Sequence, residues 1–342
     1  MKNKLGFGIV GTGMIASIHA QALQQIEEAE LVAVCSRSQS HAAAFVSRFG
    51  GTPYDNLDAL LANPDVDILI IATPSGAHLE PALAAASAGK HVLCEKPLEL
   101  TTARIDAMIA AHAAAGTRLG CIFQIRYQSA LEPIRAALAE GRFGTLTFGG
   151  VFVPWWRDMG YYADSDWHGT RAMDLGGVLS NQAIHMIDLL CDLMPPVETV
   201  TGLTGSLGHP GIETEDAAVA ALRFQGGALG VIQATTCTWP GLPKRLEIAG
   251  TAGHVICEDN TLTCFQFRDE RPEDAIIRKR FGAAGDVHGA SQASALTPDL
   301  HAACFRDFIH AVRTGGPFRI DGASARKPVA LIERLLNGAV SA

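Results

Sequence analysis

Gly8-Ile9-Val10-Gly11-Thr12-Gly13-Met14-Ile15-Ala16 constrains this chain more than any other stretch. The apolar run from Leu5 to Val10 reads as a buried strand, and the residues after it read as a tight turn into a helix running to about Gln25. Gly11 permits the turn, Gly13 lets backbone approach a pyrophosphate, and Ala16 stands where helix and strand pack closely. The free amides of Gly11, Thr12, Gly13, Met14 and Ile15 then face phosphate.

The alternation continues. A strand from Glu30 to Cys35 ends in Ser36-Arg37-Ser38, where the adenosine ribose of a bound dinucleotide would lie. A carboxylate there would hold both ribose hydroxyls of NAD. Ser36 and Arg37 suit a 2′-phosphate instead, so NADP is expected over NAD; the alternative is that Arg37 is a solvated helix-start residue. A helix from His41 to Phe49 and a short strand near Thr52 precede Asp67 to Ala72, an apolar run of the kind buried on both faces of a parallel sheet. Thr73-Pro74-Ser75-Gly76 turns into a helix opened by His78, either as a capping residue or as a cofactor contact, and running to about Ala88. The next strand stops on Lys96. Because Pro97 disfavours helix at the residue before it, Lys96 is presented at a strand end, where open parallel sheets collect ligands. Its ammonium could polarise a hydroxyl or carbonyl oxygen, or be a solvated loop cation. A helix from Thr102 to Ala115 and a strand from Arg118 to Phe123 complete six strands, giving a doubly wound, parallel Rossmann domain over residues 1–123.

Taken together, Gly11-x-Gly13-x-x-Ala16, Ala72-Thr73-Pro74-x-x-x-His78 and Gly89-Lys90-His91-Val92-Leu93-Cys94-Glu95-Lys96-Pro97-Leu98 resemble the oxidoreductase family named after glucose-fructose oxidoreductase, inositol dehydrogenase and a rhizopine-catabolism protein (Gfo/Idh/MocA). The resemblance implies that Lys96 lies beside the nicotinamide and the reacting oxygen, and that Glu95 helps to fix the nicotinamide riboside. It further implies that Thr73, Pro74 and His78 line the cofactor. Gln124 and Arg126 match the family's crossing segment at the nicotinamide end, although Arg126 also reads as a bridge between domains.

Residues 124–342 read as an α+β domain for substrate binding and oligomerisation. A helix from Ser129 to Glu140 and a strand from Thr145 to Val153 lead into a long loop. It carries Trp155, Trp156, Tyr161, Tyr162, Trp167, His168 and Arg171, rings and polar groups suited to stacking on a sugar or closing over a polar ligand, or else to an oligomer contact. Tyr162 and Arg171 are candidate substrate contacts. The family commonly carries Trp-Arg where this chain has Trp167-His168, a departure at an expected cofactor contact. From about Val178 the pattern predicts a helix with Leu179, Ala183, Ile187 and Leu190 on its apolar stripe and with Asn181 and His185 four apart on another face. The family's helix has an Asp or Asn preceding a catalytic His by four residues. Asn181 cannot ionise, so proton transfer falls to His185, an imidazole of ordinary pKa about 6.5. Six β-rich runs between Val197 and Phe267 predict a large, mainly antiparallel sheet, and Asp269 to Thr297 a long loop. Terminal helices come last, at 298–313 and 322–337. His301, near the start of the first, is a further substrate-contact candidate, and the resemblance implies a homodimer or homotetramer built through the sheet.

Composition narrows the classes. With 342 residues, 48% of them hydrophobic and 18% charged, the chain is large enough for two cores. Lys and Arg number 27 against 35 Asp and Glu, with no basic run, which disfavours a nucleic-acid partner. Eight scattered cysteines without a CxxC pair read as buried thiols of a reducing compartment, and no metal site is expected. No apolar run approaches the ~18 residues that span a bilayer, so a cytoplasmic protein without a membrane partner is expected. The reading is an NAD(P)-dependent oxidoreductase acting on a secondary alcohol of a sugar, cyclitol or sugar derivative. Its rivals are a glycoside hydrolase that retains NAD and a non-catalytic nucleotide-binding sensor.

Overall fold

The computed structural model describes residues 2–163, 168–174, 177–282, 297–338 and 340–341. They divide into two compact units, residues 1–124 with 296–329, and residues 125–295 with 330–342.

In the first unit β1 (Leu5–Val10), α1 (Met14–Gln24), β2 (Ala29–Cys35), α2 (Gln39–Phe49), β3 (Thr52–Tyr54), α3 (Leu57–Leu61), β4 (Ile68–Ile71), α4 (Leu79–Ser87), β5 (His91–Glu95), α5 (Thr102–Ala115) and β6 (Leu119–Ile122) alternate as expected, apart from the short α3, which is not among the expected elements. All pairings are parallel, in the order β3-β2-β1-β4-β5-β6. The order reverses beside β1, and the crevice for a ligand opens at the carboxyl ends of the strands flanking that reversal. Phe7, Ile9, Ile68–Ile71 and Val92–Cys94 are buried, which is why these runs carry no polar face.

The second unit contains α6 (Leu131–Ala139), β7 (Leu146–Pro154), α7 (Met159–Ala163), α8 (Arg171–Asp174), α9 (Gly177–Ser180), α10 (Ile184–Leu193), β8 (Val197–Gly205), β9 (Ala217–Phe224), β10 (Leu229–Thr235), β11 (Arg245–Gly250), β12 (Gly253–Glu258), β13 (Thr261–Phe267) and α11 (Pro272–Phe281). Its sheet runs β13-β12-β11-β7-β10-β9-β8-β14, the last strand being Val340–Ser341. The pairs β7/β10 and β8/β14 are parallel and the rest antiparallel. Alternation along β9 buries Ala218, Ala220, Leu222 and Phe224 and turns Val219, Ala221 and Arg223 outward.

Three expectations are corrected. The division is not a single cut at residue 123, because α12 (Asp299–Thr314) packs on α1 and β6. Phe305 of α12 stacks on Phe7 at 6.4 Å, and Arg313 donates to the Asn3 carbonyl. The unit boundary then falls inside α13 (Gly322–Gly338). The expected loop from Asp269 begins instead with α11: Pro272 fits a first helical turn, the Asp274 carboxylate accepts the Arg271 N–H, and Arg278, Lys279 and Arg280 fall at the carbonyl end. Residues 283–296 of that stretch lie outside the described residues. Lastly, the ring-rich loop holds a helical turn, α7, whose first turn is fastened by Asp158 accepting the Tyr161 N–H.

Candidate active site

In the first unit Gly11 has φ +101°, and a Cβ there would stand 2.5 Å from the Ala72 carbonyl oxygen, so only glycine lets β1 turn against β4. Gly13 caps α1 without any side-chain acceptor, and a Cβ on it would meet nothing within 4 Å. The first-turn amides of Met14, which is exposed, and Ile15, which is half-buried, thus stand beside that open space and a helix dipole, as a pyrophosphate requires. The observed cradle fits a dinucleotide. At the end of β2 the Ser36 hydroxyl faces Thr12 Oγ1 at 3.4 Å, while Arg37 is exposed.

Thr73 and Pro74 are half-buried at the end of β4, with the Thr73 hydroxyl donating to the Ala77 carbonyl. His78 does not line a cofactor surface. Its ring is fully buried and lies 3.0 Å from both the Pro97 and Thr73 carbonyl oxygens, so it braces the turn after β4 against the segment after Lys96. Gln124 is buried at the unit's last strand exit.

Lys96 follows β5 directly and is half-buried. The Glu95 carboxylate turns inward: one oxygen lies 2.8 Å from His19 Nε2 and the other accepts the Lys96 backbone N–H at 3.1 Å. Both oxygens thus have a partner inside the unit, and Glu95 is buried. Burial would raise its pKa, but the His19 hydrogen bond and the fields of His19, His301 and Lys96 prevail and hold it at about 2. His301 is likewise corrected as a substrate contact. It is buried against His19, ring centres 5.5 Å apart, and burial followed by the His19 field lowers its pKa to about 4. The ligand-type atoms of His19, Glu95 and His301 lie within 4.8 Å of one another.

In the second unit the expected continuous helix is broken. Gly177 (φ +47°) lies so close to the Glu215 carbonyl that a Cβ would stand 2.1 Å from its oxygen; α9 starts there and ends at Ser180. The Ala183 N–H then reaches back five residues to Val178, a π-type turn, before α10 begins. Asn181 sits in that turn and His185 is half-buried in the first turn of α10. The Asn181 and Gln182 amides each donate to the Tyr161 hydroxyl at 3.1 Å. Tyr161 in turn stacks on His168 at 4.3 Å, with the Arg157 guanidinium 5.4 Å from its ring centre.

Three candidate substrate contacts of this unit are committed elsewhere. Tyr162 is buried with its hydroxyl on Thr236 at 2.9 Å, and burial pushes its pKa up to about 12. Arg171 engages Glu213. Arg126 is 1% exposed and grips Asp188 through two 2.6 Å bonds and Asp192 through one of 2.9 Å. Burial opposes its charge, but the Asp188 carboxylate more than restores it. Trp167 lies outside the described residues. Sequence reasoning missed His19 and Tyr161. The one available signal for His19 was a polar residue on the apolar side of α1; Tyr161 could not be told from its neighbour.

A bare glycine-turn helix start at the switch point of a parallel sheet, with a lysine at the end of β5, two strands away in the same sheet, defines a nucleotide-binding oxidoreductase with a separate α+β unit. Comparison with known proteins narrows this. Residues 5–123 match the oxidoreductase family with an NAD-binding Rossmann fold, Gfo/Idh/MocA, and residues 132–256 match the Gfo/Idh/MocA C-terminal domain. The chain belongs to the Gfo/Idh/MocA family. It is 30% identical to the 1,5-anhydro-D-fructose reductase of Ensifer adhaerens over 73% of this chain and 74% of the reductase. It is 28% identical to the myo-inositol 2-dehydrogenase of Thermotoga maritima over 77% and 78% of the two chains. Among solved structures, the WlbA dehydrogenase of Bordetella pertussis, in complex with NADH and UDP-GlcNAcA, superposes with TM-score 0.89 at 33% identity, covering 99% of this chain and 96% of the other. No helix among the described residues is long and apolar enough to cross a membrane.

Proposed function

We propose that the protein is an NAD(P)-dependent dehydrogenase or reductase exchanging hydride with a secondary alcohol or keto carbon of a sugar, cyclitol or sugar derivative. Lys96 carries the reading: it sits at a strand end in the unit that holds the bare α1 start, beside an ionised Glu95. The relatives named for anhydrofructose and inositol, and the one solved with UDP-GlcNAcA, support the substrate class.

The Gly11 N–H is spent on the Cys35 carbonyl at 2.9 Å, so the helix-start amides that follow it, through Ile15, hold the dinucleotide phosphates, and Ser36 with Arg37 favours the 2′-phosphate of NADP. When bound, the nicotinamide supplies the hydride exchange itself. Lys96 polarises the reacting oxygen and stabilises its alkoxide character, while His185 takes or returns the hydroxyl proton. Asn181 orients a substrate hydroxyl, and Tyr161 fixes the Asn181 amide. Association of identical chains through the outer sheet face belongs to the same reading. Leu203 pairs with Val219 across β8 and β9, and the two stand 57% and 53% exposed. A monomeric mass by light scattering would remove that part.

Turnover on a panel of sugars and polyols with each cofactor tests the whole. Lys96→Ala and His185→Ala each lower kcat/KM by about 10³, and Arg37→Ala lowers the NADP over NAD preference about tenfold. Undiminished turnover in either of the first two, or an unchanged preference in the third, contradicts the corresponding assignment.

A further inference from the structure

We propose that His19 is a positioning residue for Lys96, acting through Glu95, and that it ties the phosphate-facing helix to the reactive strand end. The inference rests on the dehydrogenase reading. His19 lies on α1, whose first-turn amides face the open cradle, less than two helical turns beyond Gly13. Every other buried residue of that helix is Ala, Ile or Leu, whereas His19 is buried completely. A buried imidazole is costly without a hydrogen-bond partner, and the partner is specific: Nε2 donates to Glu95 Oε1 at 2.8 Å. The other Glu95 oxygen accepts the backbone N–H of Lys96. Helix, imidazole, carboxylate and lysine peptide therefore form one connected series.

Its members have little freedom to turn. Phe305 stands edge-on to the His19 ring at 5.5 Å, and His301 lies tilted at the same centre-to-centre distance. The carboxylate stays ionised across the working pH range, because its pKa is held at about 2. It remains a fixed acceptor for the Lys96 peptide while hydride and proton move elsewhere. Loss of the imidazole donor frees the Glu95 side chain to rotate, and the peptide that aims Lys96 loses its tether.

Two substitutions separate positioning from packing. His19→Leu keeps bulk without a donor, whereas His19→Gln places an amide N–H near the position of Nε2–H. At saturating cofactor and substrate, His19→Leu lowers kcat about tenfold or more while the Kd for NADH stays within about threefold, and His19→Gln retains kcat within about threefold of the parent. Undiminished kcat in His19→Leu, equal losses in both variants, or a loss confined to cofactor Kd overturns the proposal. If the parent chain turns over no sugar or polyol, the dehydrogenase reading fails separately. The positioning role is then decided by the ¹³C resonance of reductively methylated Lys96, assigned with Lys96→Arg. A shift in His19→Leu that is absent in His19→Gln supports it, and an unmoved resonance in His19→Leu overturns it.

Discussion

Glu95 in the first unit and Glu215 in the second are equally hidden, each 8% exposed, yet their proton affinities move in opposite directions. Glu95 meets an imidazole, the Lys96 backbone N–H and the field of the Lys96 ammonium, and its pKa falls to about 2. For Glu215, burial dominates and the neighbouring Asp174 and Asp216 add to it, so that its pKa climbs to about 8 although the Leu179 N–H donates to it. Burial by itself does not set the charge of a carboxyl group; the partners that the fold supplies do. The first unit uses its buried carboxylate to fix a strand end, and the second keeps a neutral acid beneath the start of α9.

Three substitutions test the contrast at decreasing strength. Arg126 supplies to the second unit the cation that Glu215 lacks. Arg126→Ala leaves Asp188 buried without its two 2.6 Å bonds and costs about 3–5 kcal/mol of stability in denaturant unfolding. A loss mainly in substrate KM with unchanged stability would return Arg126 to the substrate contacts.

The two glutamates also give opposite pH slopes. Above its ordinary value of 4.5, Glu215 keeps in the folded chain a proton that the unfolded chain releases. Its contribution to stability therefore falls as pH rises from 4.5 to about 8, by up to about 1.4 kcal/mol per unit. Glu95 behaves conversely: its contribution is complete above 4.5 and is lost as pH falls towards 2. Melting temperatures across pH should show Glu215→Gln gaining on the parent between pH 5 and 8, roughly the window these pKa values set. Parallel curves for the two proteins would show that Glu215 is ionised like Glu95.

The smallest effect comes from a neutral bond. Tyr161→Phe removes the acceptor shared by the Asn181 and Gln182 amides and should cost about 0.5–1.5 kcal/mol in the barrier, read as kcat/KM. A loss as large as that of Lys96→Ala would mean that the phenol itself touches the reacting oxygen.

Local pattern was enough for most of the regular elements. The glycine turn, the α/β alternation through Phe123, the helix Thr102–Ala115 and seven strands of the second sheet follow from apolar period, β-branched runs and turn residues, which act within a few positions of the chain. Lys96 was legible for the same reason, since Pro97 fixes the geometry of its neighbour. The break between α9 and α10 was not, because it depends on Gly177 pressing against the Glu215 carbonyl, 38 positions further on.

Long-range contacts decided the fate of the polar residues. By type alone His78, Arg126, Tyr162, Arg171 and His301 were as eligible for a ligand as Asn181 and His185, but the fold commits the first four to carbonyl oxygens, carboxylates or a hydroxyl and buries the fifth. A residue's identity gives its donors and acceptors, whereas only packing assigns the partners. For the same reason the glycine turn after β1 tells where phosphate binds, but not that the helix it opens carries, at His19, the imidazole bonded to the carboxylate beside Lys96.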